Sequence, residues 1–336
     1  MAGITFNFAS GLNDSIFGKS IAPIQLFLEK RGEAFEQESI VDKLFQMGTD
    51  NSWGGKMTTM TAMDGFKPVG ELGPHPADNM QEGYSKIYEH MVWKDRFSIS
   101  REAVDDSKLM DLKQKPAAFV TGYYRTRERF GAALFGNAIQ GRSSMDFAGV
   151  SFDTKVADGQ NLFSKNHPGM VSKKTQSNLF ADAFSNDALM AAETEMQNFK
   201  GDNDELLDVV PDTILIPNDY ELKKAVFAAI GADKDPATAN NGFNYTFGRW
   251  NVIIWAELNR FLASGTKPWL LLSQAYNDEK VGAFWRDRVK LEVSSYIDRD
   301  TNANVWDGYA RFTAGFNDWR FAAVGGISGG TQLISG

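Results

Sequence analysis

The sequence predicts an α+β fold built around one long helix, with an extended β excursion before it and a mostly β C-terminal third. Three observations carry this prediction. An apolar stripe through Phe119, Tyr123, Phe130, Leu134 and Ala138 recurs at about 3.6 residues per step, the pattern of a helix laid on a core. From Lys56 to Ser100 the chain has strand texture, interrupted by the turn formers of "VGELGPHPADN". The last third reads "DRVKLEVSSYI", "GYARFTAGF" and "WRFAAVG", alternating and aromatic, with a turn through "DRDTNANVWD".

Composition bounds the answer. At 336 residues the chain can bury a full core, as two domains or one elaborate one. Hydrophobic residues at 43% and charged residues at 23% describe an ordered protein. A net charge of −8 argues against a nucleic-acid reader, although a wall lying beside packaged nucleic acid tolerates that sign. Without cysteine there is no disulfide, thiolate nucleophile or cysteine-ligated metal. "MAGITFNFASGLNDSIFGKS" lacks the pattern of a signal peptide, and no apolar run reaches membrane-spanning length. A soluble protein made in the cytoplasm is expected.

In chain order, residues 1–55 read as an arm. Pro23 opens a short helix through "PIQLFLEK", and "ESIVDKLFQM" forms a second, with Ile40, Leu44 and Met47 on one face and a stop at Gly48. The excursion follows, a two-stranded ribbon with Tyr84, Tyr88 and Val92 on one face. An isolated ribbon is marginal in water, so it needs another surface, and another subunit is the natural one. The long helix starts at Pro116 in its first turn and runs to Asn137, before Gly141. Beyond it, "NDALMAAETEMQNFK" is a helix ending at Gly201 and "DTILI" a buried strand. Asn218 and Glu221 form a capping box for a helix closed by Gly231. "RWNVIIWAEL" and "PWLLL" are strands, and the tail "GGISGGTQLISG" is expected to be a flexible end rather than a close backbone contact.

The order of these segments resembles the tailed-phage major capsid proteins of the HK97-type fold, most closely the Mu-type major head protein branch. The stretches that carry the resemblance are "RFSISREAVDDSKLMDL", "PAAFVTGYYRTRERFGAALFGNA", "DGQNLFSKNHP", "VPDTILIPNDYELKKAVFAAI" and "DGYARFTAGFNDWRFAAVGG". The resemblance implies an N-terminal arm at 1–55 and an E-loop hairpin at 56–100. It further implies a P domain at 101–155 and 285–336 with a spine helix at about 116–138, and an A domain at 156–284. It also implies a non-enzymatic shell subunit of an icosahedral head, assembled as pentamers and hexamers in the host cytoplasm around double-stranded DNA. Portal and possibly decoration proteins would be partners. No long charged helical segment precedes the arm, so a separate scaffold protein is expected. An encapsulin-like compartment around enzyme cargo is the alternative within the same fold. The charged flank "YRTRERF" then suggests contacts between subunits, with Trp93, Arg96, Arg101, Asp105, Asp106, Arg125, Arg127 and Arg129 as candidates.

Reactive side chains need separate weighing. "DGQNLFSKNHPG" gathers Asp158, Ser164 and His167, so a hydrolase triad is the sharpest enzymatic reading, yet no G-x-S-x-G surrounds Ser164. A surface connector anchored by Leu162 and Phe163 and turned by Pro168 and Gly169 is preferred, with His167 as a hydrogen-bonding loop residue. His75 and Asp78 make a weak metal pair, and His90 falls in a strand as a surface or interface side chain. Asp298, Asp300, Asn302 and Asn304 resemble the start of an EF-hand loop. Ala303 replaces its glycine and Tyr309 its bidentate glutamate, so a β-turn is expected. "GTDNSWGGKM" fails as a P-loop because Asp50 holds its first glycine position and Met57 the Ser/Thr position. No cofactor or metal is expected.

Overall fold

The computed structural model describes residues 5–7, 30, 32–36, 38–60, 66–71, 73–75, 77, 81–105, 109–231, 244 and 246–334. The chain divides into two compact units. One comprises Met1–Gly55, Tyr88–Gly131 and Trp285–Ala314, and the other Lys56–Ile87, Ala132–Phe284 and Gly315–Gly336.

The first unit is organised by a sheet whose strands run in the order Thr5–Asn7, Ala283–Ile297, Asn304–Phe316, Met91–Ile99, with Gln46–Thr49 also paired to Ala283–Ile297. Alternation along these strands sends Phe97, Ile99, Leu291, Val293 and Trp306 inward against Phe119, Val120 and Tyr124 of the helix Leu109–Ile139. Flat ring pairs fill the layer. Phe97 stacks on Trp306 with centroids 5.0 Å apart and Trp93 on Phe312 at 4.7 Å. Such pairs add about 0.5–1.5 kcal/mol each beyond their burial. Gly308 makes the close approach of helix to sheet possible, because a Cβ there would lie 2.4 Å from the Phe119 ring.

The second unit holds a four-stranded sheet in the order Asn251–Trp255, Thr213–Pro217, Trp269–Leu272, Ala322–Gly325. Its first pair is parallel and the other two antiparallel. Thr213–Pro217 is buried throughout, as expected of a strand covered on both faces. Side-chain oxygens cap the accompanying helices: Ser185 accepts from the Ala188 N–H, Asp219 from Leu222 and Ser273 from Tyr276.

Several elements differ from the sequence reading. The long helix begins at Leu109, so Pro116 lies inside it, and 31 residues make it about 46 Å long. Good helix formers before the proline extend the helix past the break it would impose. "ESIVDKLFQM" is helical only over Val41–Leu44 and then becomes the strand Gln46–Thr49, because pairing with the sheet edge satisfies more backbone groups than another turn would. Met47 accordingly leaves the face of Leu44 and is partly exposed. "PIQLFLEK" lies almost wholly outside the described residues. The ribbon pairs Gly54–Met60 with Glu82–Glu89, whereas Met91–Ile99 is a strand of the main sheet. The helix expected to reach Gly201 ends at Gln197, and the cap assigned to Asn218 belongs to Asp219, one residue on. Asn218 instead receives the Lys223 ammonium. The Gly/Ser tail is held rather than loose: Thr331 donates to the Leu179 carbonyl at 2.7 Å, and the Leu333 N–H reaches Asp182 at 2.7 Å. The glycines permit this contact, since a Cβ on Gly330 would meet the Phe180 backbone at 2.3 Å.

Among the described non-glycine residues at positive φ, Val281 is the β-branched one, and its side chain opposes that conformation. Val281 closes the helix Gln274–Lys280 at φ 56°, ψ 61°, left-handed for a β-branched residue, while its N–H bonds to the Asn277 carbonyl. Val281→Gly removes the steric penalty and should stabilise the folded chain by about 1 kcal/mol, after allowing for glycine's unfolded-state entropy. A higher urea midpoint with an unchanged denaturant slope would be the signature.

Candidate functional site

The polar loop forms a buried knot. His167 is fully buried, with Nδ1 2.7 Å from Asp158 Oδ2 and Nε2 3.2 Å from Asn178 Oδ1. Asn178 is oriented by its other bonds: its amide donates to the carbonyls of Leu162 and Ala322, and its oxygen accepts the Ser164 N–H. Both imidazole nitrogens therefore face oxygen acceptors. The ring also stacks on Trp319, with centroids 4.3 Å apart. Beside it Arg320 bonds Asp202 at 3.0 Å and Asp318 at 3.3 Å, with its guanidinium 5.0 Å from the same indole centroid.

The expected surface connector is thus an interior cross-link. Asp158 and Asn178 take the two imidazole nitrogens and Ser164 Oγ accepts the Asn166 N–H, so the described contacts do not join Ser164 to His167 as nucleophile and base. Leu162 and Phe163 are buried anchors, as the sequence suggested. Asn178 was missed because an isolated asparagine between loops carries no periodic signal.

The charged flank of the long helix divides sharply. Arg125 is exposed, Arg129 is half-buried, and Arg127, expected among the subunit contacts, has its guanidinium inside the chain. It reaches Asp287 at 2.9 Å, Asp42 at 3.7 Å and the Tyr123 hydroxyl at 3.2 Å, and lies 4.6 Å from the Trp285 ring centroid. Burial works against its charge, but Tyr123, Asp287 and Asp42 outweigh burial and hold the guanidinium above its ordinary value. Burial raises Asp42 despite the neighbouring arginine. Next along, Glu128 accepts the Ser39 hydroxyl and the N–H groups of Ile40 and Val41, capping the short helix Val41–Leu44 from outside.

The remaining candidates are scattered. Trp93 is half-buried and donates to the Phe312 carbonyl at 3.2 Å, while exposed Arg96 grips Asp307 with two hydrogen bonds. Arg101 is exposed in the short helix Arg101–Asp105. Asp106 lies outside the described residues, as does the Asp105 side chain.

His90 was expected at a surface or interface and is buried instead. It sits where the ribbon strand passes into the sheet, with Nε2 3.3 Å from Asp50 Oδ2 and the Tyr88 ring edge-on. Burial holds its ionisation below the ordinary histidine range, against the pull of Asp50 and reinforced by Arg311 and Arg288. Tyr88 donates to the same carboxylate at 2.5 Å and is pushed up to about 12, chiefly by burial.

Other motifs resolve locally. Asp298 accepts the Thr301 hydroxyl and the Asp300 N–H within the turn between two strands. The glycines of "GTDNSWGGKM" let the ribbon strands close, a Cβ on Gly54 falling 2.4 Å from the Tyr88 carbonyl. His75 is exposed, and its proposed partner Asp78 lies outside the described residues.

A family model described as "Phage capsid protein" matches residues 83–325. No curated protein matches the sequence. Among solved structures, a chain of Mycobacterium phage Patience is similar at 12% identity with a TM-score of 0.50, covering 99% of this chain and 96% of that one. A chain of the "Capsid of native GTA particle" is similar at 13% identity with a TM-score of 0.50, covering 85% of this chain and 88% of that one. At these identities the likeness is one of fold.

Two outcomes separate structural from surface charges. Arg127→Met leaves two carboxylates uncompensated and should cost about 3–5 kcal/mol in a denaturant titration, whereas Arg125→Met should stay within about 0.5 kcal/mol. His90 gives a pH dependence. Because its folded value is depressed, the stability it contributes is present above about pH 6.5 and lost as the pH falls from there through the folded value. Urea midpoints measured from neutral to mildly acid pH should fall less steeply in His90→Gln than in the parent.

Proposed function

The chain belongs to the phage capsid protein family, a structural subunit of a phage head with the HK97-like α+β fold, and on that premise we propose how it assembles and with what. Copies associate into pentamers and hexamers that close an icosahedral shell in the host cytoplasm, around double-stranded DNA that is enclosed rather than read. The family match over residues 83–325 carries this reading.

The molecule's unsatisfied surface supports it. Trp53 is 66% exposed, Ile87 70% and Phe66 fully exposed, all in or beside the ribbon. Large apolar side chains left in water along a two-stranded ribbon favour a second surface. The arm at 1–55 and the E-loop at 56–100, which contains the ribbon, would lie over adjacent copies. The P domain at 101–155 and 285–336 and the A domain at 156–284 would pack around the rings. Exposed Arg96, Arg101 and Arg125 are the contact cations of this scheme, with Asp105 and Asp106 as candidate partners. Each rim pair is worth at most about 1 kcal/mol, but repetition sets register. Stable neighbours need roughly 1,000 Å² of contact, and closed symmetry halts growth. The Mu-type branch rests on "DGQNLFSKNHP", and a scaffold and a portal are the further partners of this proposal. The chain works by burial of surface and not by catalysis.

Negative-stain microscopy of the purified chain, alone and with co-expressed phage head genes, tests the assembly. Closed particles are expected, and replacing residues 61–80 by a short glycine linker should abolish them while the monomer stays folded by circular dichroism. A monomer that forms no particle under any condition would overturn the reading. Particles that pack a protein cargo in place of DNA would mark an encapsulin-like shell.

A further inference from the structure

The outward face of the first unit's sheet has a charge opposite to that of the chain. Strand register sets Lys94 opposite Tyr309, Arg96 opposite Asp307 and Val92 opposite Arg311. Contacts confirm a shared face: Lys94 lies over the Tyr309 ring at 5.8 Å, and Arg96 over the Tyr296 ring at 5.9 Å. Alternation places Arg288 on the same face as Tyr296, eight residues along one strand. Lys94, Arg96, Arg288 and Arg311 stand on this face, joined by Arg286 and Lys290 through the same alternation, against the carboxylates of Asp307 and Glu292, with Asp298 acting on Arg96 and Asp50 on His90 at its margins, in a protein whose net charge is −8.

We propose that this sheet face binds the phosphate backbone of nucleic acid without reading sequence, through Lys94, Arg288 and Arg311, with Tyr309 and Tyr296 as stacking surfaces for unpaired bases. The argument is charge complementarity joined to geometry. Outward side chains on one strand repeat at roughly 6.7 Å, so Lys94 and Arg96 present successive positive sites along a line. Arg96 is paired with Asp307 through two hydrogen bonds, with 63% of its side chain in water, so Lys94, Arg288 and Arg311 carry the proposed contact. Arg311 has a buried Nε without a hydrogen-bond partner. A basic groove with interleaved aromatic rings is the physical basis of sequence-tolerant strand binding. An acidic protein surface could meet the same cations, and the measurements below separate it from nucleic acid. The inference goes beyond the shell reading, in which double-stranded DNA is merely enclosed, and does not rest on it.

Fluorescence anisotropy with a labelled single-stranded oligonucleotide and a duplex of equal length tests it on the unassembled full chain. Both should bind at low salt. The combined Lys94→Gln and Arg311→Gln variant should weaken both by roughly 10-fold and flatten the logarithmic salt slope by about 1.4 for the single strand. Tyr309→Ser should weaken only the single strand, by about 5-fold or more. No binding at low salt, or a double variant that binds like the parent, would overturn the proposal. So would a double variant that loses particles while keeping oligonucleotide affinity, since the face would then be a contact between copies. Failure of the shell reading shows separately, as parent chain without particles.

Discussion

One guanidinium constrains the first unit. Arg127 is taken out of water in the middle of the long helix, and Asp287, Asp42 and Tyr123 are there to receive it. A buried ion pair returns little net stability, because desolvation consumes most of the Coulombic gain. What it does supply is register. Asp287 lies on the strand Ala283–Ile297 and Asp42 in the short helix Val41–Leu44, so a slip of either element strands a charge. The adjacent Glu128 repeats the logic with uncharged partners, closing the open backbone groups at Ile40 and Val41. One helical turn thereby fixes both the N-terminal segment and the sheet. The apolar layer of Phe119, Val120, Leu291 and Trp306 provides the cohesive energy, and the ionic cluster selects which packing it takes.

The second unit uses the same device with a different cation. Arg320 and His167 both contact Trp319, and each is held by acidic or amide oxygens that are themselves buried. Polar groups that looked like chemistry in the sequence are cross-links between loops that also bury apolar anchors such as Leu162 and Phe163. The pattern suits a shell subunit, in which buried cross-links hold loops in place through repeated contact.

The long helix was legible because its stripe repeats over many turns, and the C-terminal strands because alternation persists over more than ten residues. Capping was legible to within one residue: Asn218 and Asp219 are both good caps, and only backbone geometry chooses between them. Elements decided by distant partners were not legible. Gln46–Thr49 is a strand because a sheet edge is available to it, and the glycine-rich tail is ordered because Phe180 and Asp182 accept it. The burial of His90 and Arg127 was hidden for the same reason, since nothing nearby in sequence announces Asp50 or Asp287. The basic sheet face was diluted in a composition that is acidic overall.

The interleaving of the two units bears on synthesis. Trp306 and Phe312 complete the first unit, while Ala322–Gly325 and the held tail complete the second. Neither core can close until the residues from Trp306 to Gly325 have left the ribosome. At about 5–20 residues per second the unfinished chain spends many seconds with its aromatic layers open. A nascent or truncated polypeptide therefore lacks the folded surfaces that neighbours recognise. A chain stopped short of Trp306 leaves both cores unfinished.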